Sequence, residues 1–120
     1  MAYDPNNIFA KILRGEIPSS KVLDNDYALA FNDIFPKAPV HILLIPKGAY
    51  VDGNDFFKQA SESEIVGFSR AVSIVVERYE LEKTGYRLIA NSGINGGQEV
   101  PHFHLHILGG KPLGPMVNES

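Results

Sequence analysis

His102-Phe103-His104-Leu105-His106-Ile107-Leu108 holds three of the four histidines in a chain of 120 residues. They stand at alternate positions, and an extended strand sends alternate side chains to opposite faces. The run therefore reads as a strand over 102–108, with His102, His104 and His106 on one face and Phe103, Leu105 and Ile107 turned to the core. The apolar half accounts for the strand; three aligned imidazoles need another explanation. They can be an ordinary row of solvated or internally satisfied rings. Two of them, ~6.6 Å apart at their roots, can converge on a zinc ion, although bringing all three onto one ion strains a straight strand. Or His104, with a neighbour on each side, can act as a nucleophile. Neutral imidazole is abundant near neutral pH, and a fixed partner on its second nitrogen sets the tautomer. Flanking rings would then bind phosphate and move protons.

Immediately upstream lies Asn91-Ser-Gly-Ile-Asn-Gly-Gly97, followed by Gln98 and Glu99. Glycines let backbone amides approach phosphate oxygens, and Asn91 and Gln98 offer neutral amide donors. Downstream, Gly109-Gly110 closes the strand, and the tail over 111–120 has no period. Further strands are expected over 22–24, 27–33, 41–45 and 86–90, with Asn25-Asp26 as a turn and loops over 35–39 and 48–54. A short amphipathic helix is predicted from Asp4-Pro5 through Ile8, Phe9, Ile12 and Leu13 to Gly15, with Asp4 as its cap. A long helix follows the capping-box pattern Ser61-x-x-Glu64, with Ile65, Phe68, Val72, Val75 and Tyr79 stepping by three and four. Gly85 should end that region. These elements make an α+β domain: an antiparallel sheet of about five strands with one long and one short helix.

Composition narrows the rest. The hydrophobic fraction is 44% and the charged fraction 21%, as expected of one globular domain over 1–120. The absence of cysteine removes disulfides and thiolate chemistry. The net charge is -3, with lysine and arginine scattered, so no nucleic-acid partner is expected. The first residues do not read as a signal peptide and no apolar run reaches membrane length, so the expectation is a cytoplasmic protein with no membrane partner.

The triad and its flanks resemble the histidine triad (HIT) superfamily, and within it the bacterial Hint branch. The matching residues are Gly96-Gly97-Gln98-Glu99-Val100 before the triad and Leu108-Gly109-Gly110-Lys-Pro-Leu-Gly-Pro-Met116 after it. Ile8-Phe9-Ala-Lys-Ile12, Gly15-Glu-Ile-Pro18, Phe31-Asn-Asp-Ile34 and Pro39-Val-His41 also match, so the likeness spans nearly the whole chain. It implies a purine nucleoside phosphoramidate hydrolase on a HIT-like fold. His104 would attack the α-phosphorus and form a nucleotidyl-histidine, which water then resolves to a nucleoside monophosphate. His102 and His106 would contact phosphate oxygens, and His41 would complete the cluster. Asp33 would bind the ribose hydroxyls, and Phe9, Ile12, Phe31 and Ile34 the base. Glu99 would lie near the leaving group, where animal relatives usually carry serine. The tail over 116–120 lacks the tryptophan of some relatives and would shape leaving-group preference differently.

No metal or other cofactor is expected, and the resemblance implies a homodimer with the long helix and the strand at Tyr86 near the twofold. The broad helix face of Phe68, Ala71 and Ile74 agrees with a helix covered on more than one side. Alternative chemistries are dinucleoside polyphosphate hydrolysis, nucleotidyl transfer, or nucleotide binding as a regulatory module.

Overall fold

The computed structural model describes residues 2–118. Its element order is α1 (Ile8–Leu13), β1 (Lys21–Asp24), β2 (Ala28–Asn32), β3 (Val40–Pro46), α2 (Gly53–Gln59), α3 (Glu62–Arg78), α4 (Leu81–Thr84), β4 (Tyr86–Ile89) and β5 (Leu105–Gly109). The five strands form one antiparallel sheet in the order β1-β2-β3-β5-β4. This is the expected α+β architecture. The helices differ in two ways. Two short ones, α2 and α4, join the expected pair. In addition, α1 is capped by Asn7, which accepts from the Ala10 amide, rather than by Asp4. Asp4 instead accepts from the Asn6 amide and shapes the turn ahead of the helix.

Both faces of the sheet are covered, and the pleat sorts the residues between them. On one face Ala28, Ala30, Ile42, Leu44 and Ile107 pack against Phe56, Phe68, Ala71, Val75 and Phe103. The capping box opens α3 over this face, with Ser61 and Glu64 exchanging side-chain and backbone hydrogen bonds at 3.1 Å. On the other face Leu29, Phe31, Leu43 and Ile45 pack against Phe9 and Ile12 of α1. His41 and His106 project from this second face, because their neighbours Ile42 and Ile107 belong to the first.

The last strand starts later than its alternation suggests. β5 begins at Leu105, so His102, Phe103 and His104 lie outside the ladder. Leu44 pairs with Leu105, which would set Pro46 against Phe103 if pairing continued. Pro46 has no N–H to donate. The Phe103 amide turns to the Tyr50 carbonyl instead, at 2.7 Å. Alternation of the side chains nevertheless persists: Phe103 packs among Phe56, Phe57 and Phe68, while His102 and His104 face Phe9.

After β5 the tail runs past Arg87, whose guanidinium donates to the carbonyls of Gly114 and Pro115 at 2.9 and 3.3 Å. Met116 and Val117 are exposed. Glu119 and Ser120, the end of the tail expected to influence the leaving group, lie outside the described residues. No described helix is long and apolar enough to cross a membrane.

Candidate active site

Four histidines meet on the α1 face of the sheet, and hydrogen-bond partners assign each ring's tautomer. The His104 Nδ1 lies 2.7 Å from the His102 carbonyl oxygen. A carbonyl only accepts, so Nδ1 carries the proton and Nε2 keeps its lone pair. His102 Nε2 lies 3.1 Å from the Pro46 carbonyl and must donate to it. Its Nδ1 therefore accepts, from the Tyr3 hydroxyl at 2.6 Å. In His41, Nδ1 accepts the Lys37 amide proton at 3.0 Å. The His41 proton then sits on Nε2, which faces His106 Nδ1 at 2.9 Å and Asp33 Oδ2 at 3.4 Å. His106 accepts at Nδ1 and so carries its own proton on Nε2.

Three of the four rings are almost fully buried: His102 is 0% exposed, and His41 and His104 are each 5% exposed. Burial disfavours the cation. It drives His102 down to about 4, against the pull of the Pro46 carbonyl and with help from His104. It drives His106 to about 4 as well, with His104 and His41 adding to the effect and Asp33 opposing it. His104 is lowered by burial and partly restored by the His102 carbonyl, Asp33 and Glu99. His41 is lowered by burial, with Asp33 opposing and Lys37 adding. The cluster is thus neutral at neutral pH, and a neutral imidazole can act as a nucleophile.

The remaining expected residues divide. Asp33 stands beside His41, with Oδ1 accepting from the Phe35 amide at 2.8 Å. Two carboxylate acceptor positions stay free for an incoming pair of donors. Phe9, Ile12 and Phe31 share one cluster, and the edge of Phe9 meets His104 at 4.9 Å between ring centroids. Ile34 does not join them; it is 81% exposed in the loop after Asp33. Both amide groups expected to reach phosphate are already engaged within the protein. Asn91 Nδ2 donates to the Gly96 carbonyl at 2.6 Å. Gln98 Nε2 donates to the carbonyls of Val51 and Val100 at 2.7 and 3.0 Å, and its oxygen accepts from the Gly93 amide. Their role in this structure is to brace the loop. Gly96 is required there, since a Cβ would lie 2.3 Å from the Ser92 carbonyl oxygen. Glu99 is exposed at the loop's end. His102 also departs from expectation: with both ring nitrogens bonded inside the protein and no exposed surface, its ring has nothing left to offer a phosphate.

Asp33, His41 and His106 bring donor atoms within 4.8 Å of one another, close enough to consider a metal ion. The surroundings argue for protons instead. A neutral histidine that ligates through Nε2 carries its proton on Nδ1 and usually donates it outward. At His41 the Lys37 amide already points a proton at Nδ1, so a metal-bound ring would set two donors against each other.

The residues missed by sequence reasoning are Tyr3 and the backbone groups of Lys37, Pro46 and Tyr50. Backbone donors and acceptors exist at nearly every position, so no residue type marks them. Tyr3 is 99 positions from its partner, with no motif connecting the two.

A HIT domain family profile matches residues 14–113. The chain is 56% identical over 118 residues to a HIT-like protein of Azospirillum brasilense, covering 98% of this chain and 97% of that protein. It is 46% identical over 111 residues to the purine nucleoside phosphoramidase of Escherichia coli strain K12, covering 92% of each. Among solved structures, a histidine triad protein from Clostridium difficile superposes with a TM-score of 0.86 at 40% identity, covering 97% of this chain and 100% of that one.

Proposed function

The chain belongs to the HIT family, on its Hint branch, and from that premise we propose that it hydrolyses purine nucleoside phosphoramidates through a covalent intermediate on His104. The observation that carries the reading is the 2.7 Å hydrogen bond from His104 Nδ1 to the His102 carbonyl. It leaves the Nε2 lone pair free on a ring that burial keeps neutral.

In the first step Nε2 bonds to the α-phosphorus and the phosphorus–nitrogen bond to the leaving amine breaks. The ring becomes a cationic nucleotidyl-imidazolium, and its Nδ1–H tightens against the His102 carbonyl. The amine leaves with a proton relayed from solvent, a relay that exposed Glu99, the carboxyl expected at the leaving-group side, can assist. In the second step water attacks phosphorus, the bond to Nε2 breaks, and the water proton returns to solvent. The sum is phosphoramidate plus water giving nucleoside monophosphate plus amine. His106 Nε2–H serves as a donor to a phosphate oxygen, with its tautomer held by His41. Asp33 accepts the two adjacent ribose hydroxyls at its free acceptor positions. Phe9, Ile12 and Phe31 supply an apolar wall for the base.

A homodimer fits the same reading. Leu88 pairs with Ile107 and Tyr86 with Gly109, which turns both toward the α3 side of edge strand β4. Leu88, Tyr86 and Ile74 of α3 are 43%, 44% and 40% exposed. Sedimentation at micromolar concentration tests this, and a monomer there would refute it.

The chemical test is a rapid alkaline quench during turnover of adenosine and guanosine phosphoramidates, with peptide mass spectrometry. A nucleotide mass on the peptide containing His104 is the expected result. Tight nucleotide binding with neither adduct nor turnover would replace the hydrolase reading with that of a binding module.

A further inference from the structure

We infer that Tyr3 is a positioning residue for the nucleophile, acting through His102 rather than on substrate. The inference rests on His104 being the attacking group. The segment carrying His104 lies outside the β-ladder, since β5 starts at Leu105. Its orientation therefore depends on a few discrete bonds: the Phe103 amide to the Tyr50 carbonyl at 2.7 Å, the His102 amide to the Val100 carbonyl at 2.9 Å, and the two ring bonds of His102. The His102 carbonyl is the acceptor that fixes the His104 tautomer. Whatever fixes residue 102 thus aims the nucleophile.

One of the two ring bonds is donated to a backbone carbonyl, at Pro46; the other is accepted from a side chain, at Tyr3. The Tyr3 hydroxyl donates to Nδ1 at 2.6 Å while its ring meets the imidazole edge-on, 5.6 Å between centroids at 70°. The hydroxyl satisfies the one acceptor of a fully buried ring that the sheet cannot reach, and an unmatched buried acceptor is costly. Tyr3 is itself held in place. Asn7 Nδ2 donates to the Asp4 carbonyl at 2.7 Å, and Arg14 donates to the Pro5 carbonyl at 2.8 Å, tying the leading segment to α1. Tyr3 also precedes residues 14–113, the part of the chain that matches the family profile. The site is therefore completed by an N-terminal strap beyond the matched region.

Tyr3→Phe in the full chain separates positioning from packing, because it removes the hydroxyl and keeps the ring. We expect kcat on an adenosine phosphoramidate to fall about tenfold with KM changed less than about twofold, the pattern of a misaimed nucleophile. In ring-selective 15N–1H spectra of ligand-free protein, the His104 Nδ1–H signal should broaden or exchange roughly tenfold faster with solvent as its acceptor loosens. Tyr3→Leu removes the ring as well and reports the packing share through its melting temperature. An unmoved His104 Nδ1–H signal in Tyr3→Phe would overturn the inference, as would turnover equal to the parent's. If the parent itself fails to cleave phosphoramidates, the proposed activity falls, while the ring-proton spectra still decide whether Tyr3 aims His104.

Discussion

The two faces of the sheet are built from the same strands and are held by different forces. On the α3 face, Ile42, Leu44 and Ile107 meet Phe56, Phe68 and Phe103, and no side chain among these needs a specific partner atom. Shape and area determine their places. One residue along on β3 and β5, on the α1 face, His41 and His106 join the cluster that contains His104. Each of these rings is oriented by a hydrogen bond to a group that cannot change its character, directly or through a neighbouring ring. The first face tolerates approximate fit; on the second a proton on the wrong nitrogen disables the chemistry. Burial serves both faces, as hydrophobic stabilisation on one and as suppression of imidazole charge on the other.

The contrast is sharpest at adjacent residues. His104→Ala should reduce phosphoramidate turnover by about 10⁴-fold, as removal of a covalent nucleophile does; steady-state assays retaining activity within about tenfold would contradict the role given to His104. Phe103→Ala, one position away on the other face, should cost about 3–5 kcal/mol of stability in urea titrations. Loss of turnover in that variant with no loss of stability would erase the distinction between the faces.

Acid attacks the histidine face selectively. The folded value of His102 is held near 4, below its ordinary value of 6.5, so the unfolded chain binds protons more readily. The stability that neutral His102 preserves is complete above about pH 6.5 and is lost as pH falls toward about 4, roughly 3 kcal/mol for this ring. Urea midpoints measured across that window should fall with pH, and a His102→Phe variant should show a shallower decline. The smallest effect belongs to the α3 face. Ser61→Ala breaks the capping box, should cost about 1 kcal/mol, and should leave turnover unchanged when assayed well below the melting temperature.

Much of this contrast was legible in the chain. Alternation in 102–108 placed the histidines opposite Phe103, Leu105 and Ile107, and Ser61-x-x-Glu64 located the start of α3. Other features were hidden for identifiable reasons. Alternation reports where side chains point and says nothing about where ladder hydrogen bonds stop, so the late start of β5 came from the position of Pro46 on another strand. The start of α2 falls in the stretch 48–54 expected as loop; Asp52 caps the Asp55 amide, and Phe56, 0% exposed, anchors the helix in the core. Asn91 and Gln98 were recognisable as amide donors, but a donor's target is a matter of three-dimensional proximity, and here the targets are backbone carbonyls of Gly96, Val51 and Val100. Ile34 was assigned to the base only by the family resemblance, and the turn that bonds Asp33 to the Phe35 amide leaves it in solvent.

By itself the sequence determined which histidines share a face and which residue lies at their centre, because the two-residue repeat of an extended chain is local. Tertiary structure alone decided which nitrogen of each ring carries the proton. The partners that make that choice, at Tyr3, Lys37 and Pro46 and across the His41–His106 pair, reach the rings only through the fold, and a hydrogen bond depends on where atoms meet in space.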